Sequence, residues 1–322
     1  MTLVIDDVCK RYGAVVALDH VGFQVEPGQV FGFLGANGAG KTTTMRIVLD
    51  ILRPDSGSVT WRGRPNIELD RSTFGYLPEE RGLYPRMRVL EQLVFFAGLY
   101  GIPEAAARPM AQGWLERFRV THLADRRADE LSKGNQQKIQ FIAAILHDPE
   151  VVLMDEPFTG LDPINVALLR DALLELAGRG RTLIISTHQM ELVEALAETI
   201  AIIDHGRLVT SGATRDVRRR VGRSVVRLAV AGDRELAWAP ALPGVERVVG
   251  GRDVTELGLA AGVDPQSILH AVLARGASVT CFEVADPSLE EIFIELVGQP
   301  AEPARFDPAR PGQEQPFVSP AA

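Results

Sequence analysis

Short apolar runs, separated by segments with helical spacing, recur along the chain up to about residue 215. Runs bounded by polar residues, glycine or proline predict strands at 3–8, 22–25, 30–34, 58–61, 74–77, 151–154, 182–186 and 199–204. The runs at 151–154 and 183–185 are almost entirely apolar, as is typical of strands buried on both faces. Because these strands alternate with helix-like segments, the pattern predicts an α/β fold whose sheet is mostly parallel.

Between about residues 80 and 149, helical spacing replaces the strand pattern. Apolar positions there predict helices at 89–100, 105–118 and 136–147. We expect them to form a helical subdomain inserted into the α/β core. A further helix is marked at its start by Asp162, a good N-cap, and Pro163, and at its end by Gly178 and Gly180.

A second, smaller unit is predicted over residues 216–298. Alternation at 226–230 indicates a strand, and helical spacing appears at 265–275 and 287–297. We expect the second of these helices to be capped by Asp286. The unit is therefore predicted to be a small α+β domain, and the pattern leaves its role open.

Charge and proline content mark the two ends of this unit. We interpret a basic run at its start as a solvated helix face or linker, with contact to anionic lipid or an acidic partner as the alternative. The arginines of this run are Arg215, Arg218, Arg219, Arg220 and Arg223. The segment 299–322 contains six prolines and little that could pack, so it predicts a disordered tail. The predicted domains are thus 1–215, 216–298 and 299–322.

Composition narrows the class of protein. The 322 residues are 46% hydrophobic and 24% charged, as expected of a soluble globular protein. The net charge of −8 argues against a nucleic-acid surface, so no nucleic acid is expected. No run approaches the roughly 18 apolar residues of a membrane span, and no signal-peptide run follows Met1. The two cysteines, Cys9 and Cys281, allow by themselves neither a disulfide framework nor a zinc-binding spacing, and we interpret them as ordinary thiols in a reducing compartment.

The segment 35–42 fits the phosphate-binding pattern G-x-x-x-x-G-K-[ST] and lies between a predicted strand and a helix-like segment. Its glycines allow positive φ angles, so successive backbone N–H groups can point at a phosphate. Lys41 supplies a positive charge for the outer phosphates, and the Thr42 hydroxyl can ligate Mg²⁺. We expect nucleotide to be bound by Gly35, Asn37, Gly38, Ala39, Gly40, Lys41, Thr42 and Thr43.

Polar residues at the ends of two other predicted strands extend this chemistry. Asp155 and Glu156 follow the strand 151–154. Asp155 would lie near Mg²⁺, and Glu156 would polarise a water for attack on the γ-phosphate. His188 follows the strand 182–186, where a γ-phosphate sensor is expected.

A second helix start can also bind phosphate. Ser132 is a good N-cap, and Gly134 leaves the backbone beside it open. One γ-phosphate can use both helix starts only if the second comes from another subunit; an ordinary capped helix would give the same signal. Tyr12 can stack on a base, although a half-buried ring explains it equally well.

Together and in this order, these segments resemble the ATP-binding subunits of ABC transporters over about residues 2–215. The resemblance implies a P-loop NTPase core with an inserted helical subdomain at about 80–149, followed by the small α+β domain. It also implies roles for the matched positions: Tyr12 against adenine, 35–43 as the Walker A loop, Glu79 in the Q-loop, Ser132 and Gly134 in the signature motif, Asp155 as the Walker B acid, Glu156 as the catalytic base, Asp162 in the D-loop and His188 as the switch histidine.

Three segments depart from the family pattern, of which one is alanine at position 36, a variable place in the phosphate-binding loop. The Q-loop holds Glu79 where glutamine is usual, which keeps an oxygen for Mg²⁺ and the water but adds a negative charge. The signature segment 132–135 reads Ser-Lys-Gly-Asn instead of Ser-Gly-Gly-Gln. With its C-terminal extension, the chain is similar to the exporter branch associated with sodium or drug efflux.

The resemblance implies an ATPase that uses ATP and Mg²⁺ and powers transport through a separate transmembrane permease. Two such subunits, identical or related, would close over two ATP molecules. The chain would then be cytoplasmic, held at the inner face of the membrane by the permease. Two alternatives stay open: a soluble ABC-type ATPase not coupled to transport, and a regulatory scaffold that binds nucleotide without hydrolysing it.

Overall fold

A computed structural model describes residues 2–80, 82–220, 223–251 and 253–298. Its strands are β1 (Leu3–Tyr12), β2 (Val15–Val25), β3 (Val30–Leu34), β4 (Ser56–Trp61), β5 (Arg64–Pro65), β6 (Phe74–Leu77), β7 (Val151–Asp155), β8 (Thr182–Thr187), β9 (Thr199–Asp204), β10 (Arg207–Ala213), β11 (Val225–Val230), β12 (Val245–Gly250), β13 (Thr255–Leu259) and β14 (Val279–Ala285). Its helices are α1 (Lys41–Val48), α2 (Val89–Leu99), α3 (Glu104–Arg117), α4 (Lys133–Ile145), α5 (Pro163–Gly178), α6 (Met190–Glu194), α7 (Thr214–Arg220), α8 (Pro265–Ala274) and α9 (Leu289–Val297). The predicted tail at 299–322 lies outside the described residues.

The central sheet has six strands in the order β10-β9-β3-β8-β7-β6. Its strands from β9 to β6 are parallel, and β10 pairs antiparallel at the edge. Every residue of β3, β7 and β8 is buried, in keeping with their apolar sequences. The predicted α/β class and mostly parallel sheet are confirmed. Because parallel strands end at a common edge, the segments after β3, β6, β7 and β8 are brought together there.

A separate antiparallel sheet, in the order β2-β1-β4-β5, packs over the central sheet. The strands predicted at 3–8 and 22–25 are both too short, because β1 and β2 form a long hairpin. The tip of the hairpin, at Arg11, Tyr12, Val15 and Val16, is exposed and is stabilised by strand pairing instead of burial. Phe23 of β2 stacks on Phe31 of β3 with ring centroids 5.1 Å apart, which joins the two sheets.

The first helix shows where a periodic pattern overstates a helix. Apolar spacing extends to Leu52, yet α1 ends at Val48. Asp50 has a φ of 53° and so leaves the right-handed region. The next N–H groups then turn back to the helix, with Ile51 donating to the carbonyl of Arg46 at 2.9 Å. Leu49 and Leu52 still pack on the core beneath the antiparallel sheet, which explains the pattern.

The helical subdomain is built from α2, α3 and α4, as the sequence predicts. The largest difference is at α4, which begins at Lys133 instead of 136. Ser132 caps it early, since its side chain accepts a hydrogen bond from the N–H of Asn135. The buried faces of the three helices join the main core cluster of the α/β unit.

The C-terminal unit contains an antiparallel sheet in the order β12-β13-β11-β14 with α8 packed on it. It is the small α+β domain that the pattern predicts. Its last helix is shorter than expected: α9 begins at Leu289, and its cap is Ser288, not Asp286. Ser288 and Glu291 form a reciprocal capping box, which satisfies both ends of the first turn and fixes this start.

The C-terminal domain is fastened to the α/β unit. Leu289 and Ile292 of α9 are fully buried in the main core cluster. Arg218 of α7 donates to the carbonyls of Asp286 and Pro287, both at 2.8 Å, and pairs with Glu194 of α6 at 2.7 Å. The interpretation of the basic run as a solvated face is therefore wrong for Arg218. Within the described part of the chain, no helix is both long and apolar enough to cross a membrane.

Candidate nucleotide site

The loop between β3 and α1 is shaped by its glycines. Gly38 and Gly40 have φ angles of 80° and 112°, which side chains rarely allow. A Cβ on Gly40 would lie 2.7 Å from Leu18 Cδ2, and one on Gly35 would lie 2.4 Å from the Ile203 carbonyl oxygen. Packing thus requires glycine at positions 35 and 40, backbone conformation requires it at positions 38 and 40, and the tip of the loop is left exposed.

Lys41 is buried at the centre of this loop. Its Nζ donates to the carbonyls of Gly35 at 2.8 Å and Ala36 at 3.1 Å. Burial lowers the pKa of Lys41, and the negative charges of Glu156, Asp155 and Glu79 oppose that shift. Three predicted acidic site residues therefore act on the lysine of the phosphate-binding loop.

Asp155 joins the loop to the end of β7. It accepts a hydrogen bond from Thr42 Oγ1 at 2.5 Å on one carboxylate oxygen, and one from Ser186 Oγ on the other. The side chain is almost completely buried. Hydroxyl and carboxylate oxygens are the ligands that Mg²⁺ prefers, so the residues present at this position fit that ion.

Glu156 is held more tightly than any other acid of the site. Its φ of 51° is a strained, left-handed value, and its side chain is 5% exposed. Oε2 accepts from Thr187 Oγ1 at 2.8 Å. Oε1 accepts from the His188 N–H at 3.0 Å and lies 2.8 Å from His188 Nδ1. The carboxylate is thereby fixed while the His188 ring stays half exposed.

Glu79 lies on the loop after β6 and is exposed. The adjacent Glu80 is tied to the helical subdomain, since its carbonyl accepts from Gln140 Nε2 at 3.2 Å. The loop therefore connects the edge of the site to α4. Residues 35–43, Glu79, Asp155, Glu156 and His188 all lie at one end of the parallel sheet.

The signature segment, residues 132–135, lies beside the D-loop and not beside the phosphate-binding loop. Gly134 lies beside the D-loop, where an added Cβ would be 3.5 Å from the Gly160 carbonyl oxygen. Asp162 caps α5, accepting from the Asn165 N–H at 3.0 Å, and this bond lowers the pKa of the carboxyl. Across the described ranges, no hydrogen bond or ion pair joins Ser132 or Gly134 to the phosphate-binding loop.

Tyr12 ends β1 with its ring half exposed, as a base-stacking residue requires. Lys10 Nζ lies 5.9 Å from the ring centroid.

The roles of Ser186 and Thr187 are not predicted from the sequence. The signal available was two hydroxyl residues at the end of an apolar strand, immediately before His188.

The C-terminal domain also reaches this site. A cavity of about 610 Å³ lies beside the phosphate-binding loop and is lined by Gly35, Ala36 and His188. Glu290 and Phe293 of α9 form part of its other wall. Sequence analysis did not anticipate this wall, because α9 is far from the other motifs along the chain.

Comparison with known proteins agrees with this geometry. Residues 18–159 match the family model for ABC transporters, and residues 212–297 match the C-terminal domain of DrrA1-3-like ATP-binding proteins. An uncharacterized ABC transporter ATP-binding protein of Bacillus subtilis (strain 168), YhaQ, is 42% identical over 92% of this chain and 98% of that protein. The chain belongs to the ABC transporter ATP-binding proteins. ABC ATP-binding proteins are ATPases coupled to transport, and they work with separate membrane permeases.

Other ABC proteins match nearly as broadly. The Nod factor export ATP-binding protein I of Paraburkholderia xenovorans (strain LB400) is 35% identical over 91% of this chain and 96% of that protein. A solved structure titled as the ATP-binding subunit of an ABC transporter superposes with a TM-score of 0.65 at 30% identity, over 69% of this chain and 94% of that one. The resemblance, the fold class and the ATPase activity inferred from the sequence are thus confirmed.

Proposed function

We propose that this ABC protein hydrolyses ATP at the end of the parallel sheet and uses the energy to drive export through a separate permease. The observation that carries the proposal is the pair formed by Glu156 and His188 beside the phosphate-binding loop. A buried carboxylate with both oxygens anchored is suited to accept a proton from water.

Glu156 and His188 have different roles in hydrolysis. Glu156 takes the proton of the attacking water, and His188, half exposed beside it, contacts the γ-phosphate. Lys41 stabilises the charge on the outer phosphates. Thr42, Asp155 and Glu79 would hold Mg²⁺, which would neutralise phosphate charge.

The site is completed by a second subunit. Ser132 and Gly134 begin a helix whose N–H groups suit a phosphate, yet within the described residues they make no bond to their own phosphate-binding loop. We infer that they contact ATP bound to a partner, identical or related, while Asp162 and its neighbours line the same face. Loss of the γ-phosphate would then separate the pair.

This chain offers the permease a groove beside the loop that carries Glu79. A cavity of about 510 Å³ lies between the α/β core and the helical subdomain and is lined by Tyr76, Leu83 and Phe96. Leu99 and Ile67 border it and are 64% and 62% exposed. Such an exposed apolar groove suits a short apolar segment of the permease at the cytoplasmic face of the membrane. The Glu80–Gln140 bond links the groove to the site.

The direction of transport is inferred from relatives. The relative from Paraburkholderia xenovorans is named for Nod factor export, and it aligns over both domains of this chain. Export is therefore the direction we propose. Co-purification with a multi-spanning permease supports this function, whereas co-purification with ribosomes or DNA would favour an ATPase not coupled to transport.

The decisive experiment measures phosphate release from Mg-ATP by the chain with its permease. Glu156→Gln keeps the size of the side chain and removes its basicity, so release should fall about 10²–10⁴-fold while ATP still binds. Glu116→Gln, on an exposed position of α3, is the matched control and should leave the rate unchanged. An unaltered rate in Glu156→Gln overturns the assignment of the base.

A further inference from the structure

Away from the nucleotide site, the β1–β2 hairpin brings together three residues of metal-binding type. Cys9 comes from β1, and Asp19 and His20 come from β2. One ligand atom from each, Cys9 Sγ, an Asp19 carboxylate oxygen and a His20 ring nitrogen, all lie within 4.8 Å of one another. Antiparallel pairing of β1 with β2 brings Cys9 to the adjacent residues Asp19 and His20.

Each of these groups is oriented by a contact outside the cluster. His20 Nδ1 lies 2.7 Å from Asp7 Oδ1, so its Nε2 points the other way and lies 3.8 Å from Asp19 Oδ1. Asp19 Oδ2 accepts from Arg207 Nε at 2.7 Å, which leaves Oδ1 to face the cluster. A carboxylate on the far nitrogen of a histidine is the usual support of a metal ligand.

Cys9 is oriented by the backbone. The N–H of His20 donates to Cys9 Sγ at 3.3 Å, an arrangement that stabilises negative charge on sulfur. Asp7 and His20 both have left-handed backbone angles, with φ of 51° and 55°, where the hairpin register shifts. A Cβ on Gly57 would lie 2.4 Å from the Asp7 carbonyl oxygen, so the backbone there is closely packed.

We propose that Cys9, Asp19 and His20 bind a zinc ion, with Asp7 and Arg207 as supporting residues and water in the fourth position. Thiolate and imidazole select Zn²⁺ over Mg²⁺ or Ca²⁺, which prefer oxygen alone. Zinc ligands at about 2.0–2.3 Å lie roughly 3.3–3.8 Å apart in a tetrahedron, so the cluster must contract by about 1 Å. The His20 side chain is 68% exposed and free to make that movement. Binding releases the Cys9 thiol proton to the buffer as the sulfur–zinc bond forms.

The test is titration of the full chain, stripped with chelator and free of any polyhistidine tag, with Co²⁺ in the absence of nucleotide. A tetrahedral site with one thiolate should give a sulfur-to-cobalt charge-transfer band that saturates at one equivalent and is abolished by Zn²⁺. Cys9→Ser should remove the band, and His20→Gln should weaken binding strongly. Asp7→Asn should weaken it about 10–100-fold.

The second cysteine provides the matched control. Cys281 lies in β14 and is likewise half-buried, so Cys281→Ser should leave the titration unchanged. A charge-transfer band that persists in Cys9→Ser, or that disappears equally in Cys281→Ser, overturns the proposal. So does the absence of any such band in the unmodified chain. Thermal unfolding of each variant without metal confirms that the fold is retained.

Discussion

His188 Nδ1 lies 2.8 Å from Oε1 of Glu156. The backbone of Glu156 is in the left-handed region, with a φ of 51°. The same oxygen accepts the His188 N–H. The proposed base and the proposed sensor therefore form one structural unit at the junction of β7 and β8, and a change at one of them should move the other.

Thr187→Val removes the hydroxyl that donates to Glu156 Oε2. We expect turnover to fall about tenfold, equivalent to ~1.4 kcal/mol of barrier, because one carboxylate oxygen loses its anchor. Thr182→Val is the control on the same strand: Thr182 is equally buried and accepts from the Gly28 N–H at 3.0 Å. Each variant should lose about 1–3 kcal/mol of unfolding free energy, but only Thr187→Val should slow phosphate release. Equal turnover in both would contradict the role given to Thr187.

Ser186→Ala removes the donor to Asp155 Oδ1. Because this bond orients the carboxylate that faces Thr42, the Mg²⁺ concentration for half-maximal ATPase activity should rise about 10–100-fold. Activity should recover at saturating Mg²⁺. The measurement is ATP hydrolysis as a function of free Mg²⁺, and a lower maximal rate with an unchanged Mg²⁺ dependence argues against this assignment.

Gly40→Ala and Gly38→Ala separate steric clash from backbone strain. Both glycines have positive φ, but only at Gly40 does an added Cβ meet other atoms, at 2.7 Å from Leu18 Cδ2 and 2.8 Å from the Ala17 carbonyl oxygen. Gly38→Ala should cost about 1 kcal/mol of unfolding free energy, and Gly40→Ala about 2–4 kcal/mol. Chemical denaturation without nucleotide measures the difference, and equal losses would show that the close approach at Gly40 relaxes freely.

Arg218→Ala should loosen the C-terminal domain. The guanidinium makes two hydrogen bonds to carbonyls and one ion pair to Glu194, so its loss leaves several groups unpaired. We expect faster hydrogen exchange in α9 and a lower unfolding temperature. Arg219→Ala is the control, since Arg219 is 63% exposed and lies 3.9 Å from Asp286. If the two variants exchange alike, the fastening of the domain does not depend on Arg218.

Local signals explain why much of the site could be predicted. The phosphate-binding loop depends on glycines at fixed offsets, and Asp155, Glu156 and His188 each follow a run of buried residues. A parallel sheet then brings those strand ends together without further information. The order of these motifs along the chain is therefore enough to predict that their residues lie together at the site.

Long-range contacts explain what could not be predicted. The hydroxyls of Ser186 and Thr187 acquire their roles only once β7 lies beside β8. The interpretation of Cys9 as an ordinary thiol considered spacing along the chain, whereas its neighbours are supplied by hairpin register. Likewise, the interpretation of the basic run as a solvated face is wrong for Arg218, because the partners of Arg218 lie on α6 and just before α9.

The wall that α9 contributes to the cavity beside His188 has a mechanical consequence. His188 and Glu290 face the same space, and the turn before α9 is clamped to α6, the helix that follows His188. A movement of the segment around His188 would therefore be expected to displace α9 as well. We therefore expect hydrogen exchange in α9 to differ between the chain with bound ATP and the chain with bound ADP.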